Sequence, residues 1–306
     1  MGAPPTVEWP AVPELPDVVV YVEALTSQIA GRVLEGVKLT SPFVLRSVTP
    51  PVDAIVGRTV SGVRRIGKRI VLSFEGDLFL VIHLMIAGRL RWREPEQKLG
   101  LGSKIVQASF LFANGTLFLT EAGSKKRASI RVVSGEQALA EVDPGGIEPL
   151  EITADQFRAA LTRENHTLKR VLTDPHVFSG IGNAYSDEIL HAARLSPLKL
   201  TNSITEEEAV RLYDATRATL LVWIDHLRRE SSGGFPEKVT AFHDAMAVHG
   251  RFKEPCPVCG APVQRIVYAT NECNYCAICQ TNGRRLADRA LSRLLKDDWP
   301  RTLDDV

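Results

Sequence analysis

The chain has 306 residues, 44% of them hydrophobic and 24% charged, with a net charge of +1. This is the make-up of a globular protein long enough to build two cores. It holds no long uninterrupted apolar run and no signal-peptide pattern at its start, so a membrane span is excluded and a cytoplasmic setting with reduced thiols is expected. The near-zero charge does not announce a nucleic-acid partner. Local basic clusters do the electrostatic work in such chains, and three occur: Arg64-Arg65 with Lys68-Arg69, Lys125-Lys126-Arg127, and Arg284-Arg285. Each alone reads first as a solvated surface.

Met1 to Val12 is rich in proline and reads as an unstructured extension. Pro16 then opens a helix, where a missing N–H costs nothing. Asp17 suits the first-turn dipole, and Val18, Val22, Leu25 and Ile29 form one apolar face. Strands follow over Val33–Leu39, Thr59–Ile66, Arg69–Phe74 and Leu78–Leu84, the last two joined through Glu75-Gly76-Asp77. Phe110–Phe112 and Thr116–Leu119 flank the turn signal Asn114-Gly115, and Ile130–Val133 is a further strand. This run of short strands predicts a β-sandwich or barrel that ends near Asp143-Pro144-Gly145-Gly146. Helices take over. Thr153 with Gln156 and Thr205 with Glu208 are capping boxes. The second opens a long helix through Leu212, Leu220 and Ile224, in which Trp223 reads as core. Ser231 to Gly234 breaks it, and Leu286–Leu295 reads as a closing helix.

All five cysteines lie between Cys256 and Cys279. Clustering of this kind in a reduced chain argues for a metal rather than disulfides. Cys256-x2-Cys259 and Cys276-x2-Cys279, sixteen residues apart, suit tetrahedral zinc. Four thiolates close the shell, so the metal is structural. Gly260 favours the turn of the first pair. Cys273-x2-Cys276 is also a CxxC, so spacing alone leaves the second pair open.

Four ordered motifs now converge. Pro13-Glu14-Leu15-Pro16-Asp17-Val18 resembles the N-terminal signature of the formamidopyrimidine-DNA glycosylase and endonuclease VIII family. His83-Leu84-Met85-Ile86-Ala87-Gly88 resembles one of its strands, and Gly180-Ile181-Gly182-Asn183-Ala184-Tyr185 the turn of its helix–two-turns–helix element. The cysteine spacing followed by Gln280 is similar to its C-terminal zinc finger. The resemblance runs from Pro13 to the end of the chain.

That resemblance implies an α+β protein: an N-terminal helix and β-sandwich domain over 13–146, a helix–two-turns–helix domain over 147–250, and a zinc finger with a closing helix over 251–306. It implies one structural zinc on Cys256, Cys259, Cys276 and Cys279, with Cys273 outside. The implied activity is a bifunctional DNA glycosylase and apurinic-site lyase acting on oxidised or ring-opened bases. The implied partner is double-stranded DNA with a damaged base or abasic site, met by a monomer at the nucleoid. Pro13 is the implied nucleophile, because a secondary amine forms a permanently charged iminium that acts as electron sink. Glu14 is the implied proton donor and shuttle. Lys68 is implied to bind phosphates beside the lesion, and Lys169 and Asn183 are implied phosphate contacts, with the Gly180 and Gly182 backbone approaching the same phosphate.

Three positions depart from the family pattern. Pro13 is internal, and its acylated nitrogen cannot attack. A GTG codon at Val12 would offer an alternative start that frees it. Asn271 replaces a zinc-finger arginine, so it can hydrogen-bond but brings no charge. Ile86 replaces the methionine that fills the duplex when a base is flipped out. The loop Glu121–Ala128 has no aromatic, so Lys125 and Arg127 are assigned to phosphate rather than to a wedge. The base-pocket loop is expected between Ser231 and Thr240. The alternative function is a non-catalytic DNA-damage binding protein with a blocked proline.

Overall fold

The computed structural model describes residues 12–97, 103–123, 125–232, 234–237, 243–268, 272–287 and 302. Asn271, residues 1–11 of the extension, most of the expected closing helix and part of the expected pocket loop lie outside them.

Helix α1 spans Leu15–Ile29. Among the described residues eight strands follow: β1 Gly36–Leu39, β2 Val60–Ile66, β3 Arg69–Phe74, β4 Leu78–His83, β5 Gly88–Arg93, β6 Val106–Phe112, β7 Gly115–Glu121 and β8 Ser129–Ser134. They form two four-stranded antiparallel sheets, ordered β1-β6-β7-β5 and β2-β3-β4-β8. The inner faces and one side of α1 enclose a common core that includes Val18, Tyr21, Leu25 and Ile29 with Ile70, Leu72, Phe110 and Leu119. Each fully buried aliphatic side chain of this kind stabilises by about 1.5–3 kcal/mol.

Three readings change here. Gly88–Arg93 alternates buried and half-buried residues as a strand should, although its three arginines masked it. The segment from His83 to Gly88 is not one strand: β4 ends at His83, Met85 turns at φ +53°, and Gly88 opens β5. The β6–β7 turn is Ala113-Asn114, because Gly115 already pairs with Phe112. A side chain at Gly115 would strike the Trp92 ring.

Helix α2, Glu136–Ala140, packs its Leu139 against Val71, Phe79 and Val81 of β3 and β4. Then come α3 Ala154–Leu161, α4 Leu168–Thr173, α5 Asn183–Ala192 and the long α6 Glu206–Glu230. Both capping boxes form, with Thr153 and Thr205 accepting from the N–H groups of Gln156 and Glu208. These helices share a second core around Phe157, Phe178, Tyr185, Leu212, Leu220 and Trp223. Leu15 of α1 belongs to that core too, so one helix nails the sandwich to the helices. A two-stranded hairpin, β9 Gln264–Val267 and β10 Glu272–Tyr275, and the short α7 Ala277–Thr281 carry Cys273 and Cys279, with Cys276 capping α7 and Cys256 and Cys259 in the turns before β9. Among the described residues no helix is long and apolar enough to cross a membrane.

Candidate active site and metal centre

The first N–H groups of a helix lack partners within it. For α5 the partner comes from 168 residues earlier. Glu14 Oε2 accepts from Gly182 N at 2.7 Å and from Tyr185 N at 3.3 Å, and Oε1 accepts from Ala184 N at 2.9 Å. The carboxyl therefore sits on the positive end of α5. Leu15 N also donates to Gly180 O at 2.9 Å. Gly180 adopts φ +80°, and a Cβ there would press on Leu15. The two glycines thus close the turn onto the start of α1. Of the Gly180 and Gly182 backbone expected to approach a phosphate, the Gly182 N–H is occupied by Glu14.

Lys68 stands at the tip of the β2–β3 hairpin, whose two-residue turn needs Gly67 at φ +57°. The Lys68 ammonium and the Glu14 carboxyl converge over Gly182, where any side chain would overlap both. Burial pushes the Lys68 ammonium below its ordinary value, against the pull of Glu14 and Asp17. Arg65 ties this hairpin to the turn before α5. It pairs with Glu148 and donates to Gly67 O and to Ser179 Oγ. The first basic cluster is thus partly internal scaffolding, not a solvated patch. Pro13 is buried beside Glu14, its nitrogen joined to Val12.

Asp17 is the residue that the sequence reading undervalued. It is fully buried, and its Oδ2 accepts from Glu14 N at 2.8 Å. Burial pushes its carboxyl from 3.8 up to about 7, with the neighbouring Glu14 adding to the rise. Between those values the folded chain holds a proton that the unfolded chain has released. The contribution of this group to stability is therefore largest below pH 3.8 and declines as pH rises towards 7. Asp17→Asn should flatten that decline, measured by denaturant unfolding at steps from about pH 4 to about pH 8. A difference between variant and parent that stays constant with pH would show that Asp17 is ionised throughout.

Ile86 is half-buried in the β4–β5 turn. Lys125 and Arg127 are exposed on a loop shaped by Glu121, whose buried carboxylate accepts from Arg127 N and Ala128 N. Lys169 and Asn183 are not free. Lys169 Nζ donates to Asp187 Oδ1 at 2.6 Å and to Asn183 O at 2.7 Å, and Asn183 Nδ2 donates to Glu272 O at 2.8 Å.

Asp187 is a hub that the sequence did not reveal. It is 1% exposed, and it accepts from Lys169, from His249 Nδ1 at 2.8 Å, from Cys273 Sγ at 3.2 Å and from Asn274 N at 3.1 Å. Burial alone would push its carboxyl up, but Lys169 and His249 outweigh burial and hold it below the ordinary range. Next to it, Glu188 accepts from the N–H groups of Ala247, Val248 and His249. Helix α5 therefore grips the cysteine module through consecutive carboxylates.

The four sulfurs of Cys256, Cys259, Cys276 and Cys279 lie within 4.8 Å of one another. Separations of 3.9 Å (Cys256–Cys279) and 3.4 Å (Cys259–Cys276) fit tetrahedral zinc, in which Zn–S bonds of about 2.3 Å place sulfurs roughly 3.8 Å apart. Gly260, at φ +75°, donates to Cys256 O and closes the first turn. Cys273 bonds Asp187 instead, which resolves the second pair. His191 Nε2, one turn along α5 from Asp187, lies 3.3 Å from Cys256 Sγ, placed to donate to a metal-bound thiolate. Cys279→Ser should lose zinc while Cys273→Ser keeps it, and His191→Ala should weaken retention by about 10–100-fold against a chelator. Zinc lost from Cys273→Ser but kept by Cys279→Ser would reverse the assignment.

Family models of the formamidopyrimidine-DNA glycosylase N-terminal domain and of its H2TH domain match residues 12–124 and 146–231. Over 278 residues the chain is 32% identical to the formamidopyrimidine-DNA glycosylase of Heliobacterium modesticaldum, covering 88% of this chain and 100% of that one. Over 151 residues it is 38% identical to a formamidopyrimidine-DNA glycosylase-like protein of Mycobacterium tuberculosis, 49% of this chain and 94% of that one. The structure of Lactococcus lactis Fpg with abasic-site DNA superposes with a TM-score of 0.77 at 26% identity, covering 88% of this chain and 99% of that one. A complex of the same protein with FAPY-dG DNA gives the same score and identity, with coverage of 88% and 100%. With the motifs, the paired sheets and helices, and the four-cysteine centre in the same order along the chain, the protein belongs to the formamidopyrimidine-DNA glycosylase family.

Proposed function

We propose that this chain excises oxidised or ring-opened bases from duplex DNA and cleaves the resulting abasic site, as a zinc-stabilised bifunctional glycosylase and lyase of base-excision repair. The observation that carries this reading is the convergence of Glu14 and Lys68 beside Pro13 at the N-terminus of α5. An unacylated Pro13 nitrogen would attack C1′ of the damaged nucleotide. The C1′–N bond breaks, the base leaves with its electron pair and the proton given up by the proline nitrogen, and the C1′–O4′ bond then opens with a proton delivered to O4′, which leaves the iminium. The iminium then acidifies C2′–H, and loss of that proton expels the 3′ phosphate. Glu14 is the carboxyl within reach to move protons at the sugar. Lys68 supplies positive charge on the same side, and we assign it to the phosphates.

The two cores support boundaries at 13–146, 147–250 and 251–306, with α1 shared between the first two. We further propose that Lys125 and Arg127 meet the phosphate backbone, helped by Asn183 and Asn271, that Ile86 enters the stack, and that the chain acts as a monomer in the cytoplasm, at the nucleoid. The second reading, a damage-binding protein without catalysis, is favoured by one feature: Val12 acylates Pro13 in the 306-residue chain.

The test is strand cleavage of a duplex holding one ring-opened purine, by the chain beginning at Pro13. Cleavage at the lesion supports the first reading, and tight binding without cleavage supports the second. In the same duplex, Lys125→Ala should flatten the slope of log affinity against log salt by roughly 0.9. An unchanged slope takes Lys125 out of the interface.

A further inference from the structure

A second cluster of ligating side chains lies at the far end of α6, sharing no residue with the four-cysteine centre. His226 and Glu230 are one turn apart and so project from the same face. His243 joins them from the segment that leads to the cysteines. His226 Nε2 lies 3.2 Å from Glu230 Oε1, and His243 Nδ1 lies 3.7 Å from Glu230 Oε2. One ligand atom from each of the three falls within 4.8 Å of the others.

We propose that His226, Glu230 and His243 bind a second divalent transition-metal ion. Bonds of about 2.0–2.1 Å in tetrahedral geometry place ligand atoms roughly 3.3 Å apart, so the observed spacings need only small side-chain movements. Two imidazoles and one carboxylate select zinc, cobalt, nickel or copper over magnesium or calcium. Three protein ligands leave the fourth position to water. The side chain of His243 is 7% exposed, that of His226 30% and that of Glu230 48%, so the ion enters from solvent and meets one ligand already seated. Bound there, it closes the chain between Glu230 and His243 and fastens the end of α6 to the approach of the cysteine module. An ion held by the folded chain alone also raises its stability by mass action.

Trp223 provides a reporter. Its ring centroid is 5.0 Å from that of His226 and 5.1 Å from that of His243. A paramagnetic ion at the site will quench its fluorescence.

The experiment uses the full chain with its cysteine centre loaded, titrated with zinc alone and, separately, with copper(II). We expect two zinc ions per chain at saturation and one in His226→Gln and in Glu230→Gln, both at partly exposed positions that the fold tolerates. Copper should quench Trp223 emission in the parent, and the quenching should vanish in Trp223→Phe. Equal melting temperatures of parent and variants without added metal will show that the fold is kept. One zinc per chain at saturation, or a second zinc retained by the His226→Gln/Glu230→Gln double variant, overturns the proposal. The cluster is then a hydrogen-bonded His–Glu–His group without an ion.

Discussion

A chain that begins at Pro13 should be trapped on abasic duplex DNA by borohydride, and the 306-residue chain should not be. Borohydride reduces an iminium to a stable amine, so trapping reports whether a protein amine has attacked C1′. The nitrogen of an acylated proline has its lone pair delocalised into the amide and cannot attack. Everything from Pro13 onward suits the chemistry: Glu14 and Lys68 meet beside it, and the matched family model starts at residue 12. The expected effect is close to all or none, since loss of a covalent nucleophile removes the step itself rather than some of its stabilisation. Mass spectrometry of the adduct must show the extension intact in the long chain. If that chain traps equally well, another amine is the nucleophile. Lys68 is then the first candidate, because burial lowers its affinity for protons and it already faces Glu14.

Lys169→Met should destabilise the fold by about 3–5 kcal/mol, since it leaves a buried carboxylate without its main counter-charge. Asp187 is 1% exposed and would keep only His249, Cys273 and Asn274 as partners. Asp187→Asn in the same chain removes the stranded charge. The double variant should therefore be markedly more stable than the sum of the single changes, with a coupling of about 1–3 kcal/mol in a denaturant-unfolding cycle. Because the hub joins α4, α5 and the cysteine module, its loss should also loosen zinc. A Lys169→Met protein with parental stability and weakened DNA binding would mean that Lys169 serves phosphate and not Asp187.

Local features were legible in the chain because short-range chemistry determines them. The paired cysteine spacing needs only two tight turns. The two capping boxes need only a hydroxyl and an acceptor three residues apart, and both formed as expected. The apolar spacing of Val18, Leu25 and Ile29 placed α1 against the sandwich. The motifs Pro13–Val18 and Gly180–Tyr185 each marked half of the site, without saying that they touch. Tertiary structure alone decided the rest. It set the Glu14 carboxyl on the first N–H groups of α5, a contact spanning 168 residues. It turned Asp17 from a first-turn helix carboxylate into a buried acid with its carboxyl near 7. It chose Cys279 over Cys273 by offering Cys273 to Asp187, and it made ion-pair partners within the fold of Arg65, an apparent surface cation, and of Lys169, an implied phosphate contact. In each case the deciding quantity is desolvation. A charge or thiol takes its character from which partner remains when water is removed, and packing across distant segments selects that partner.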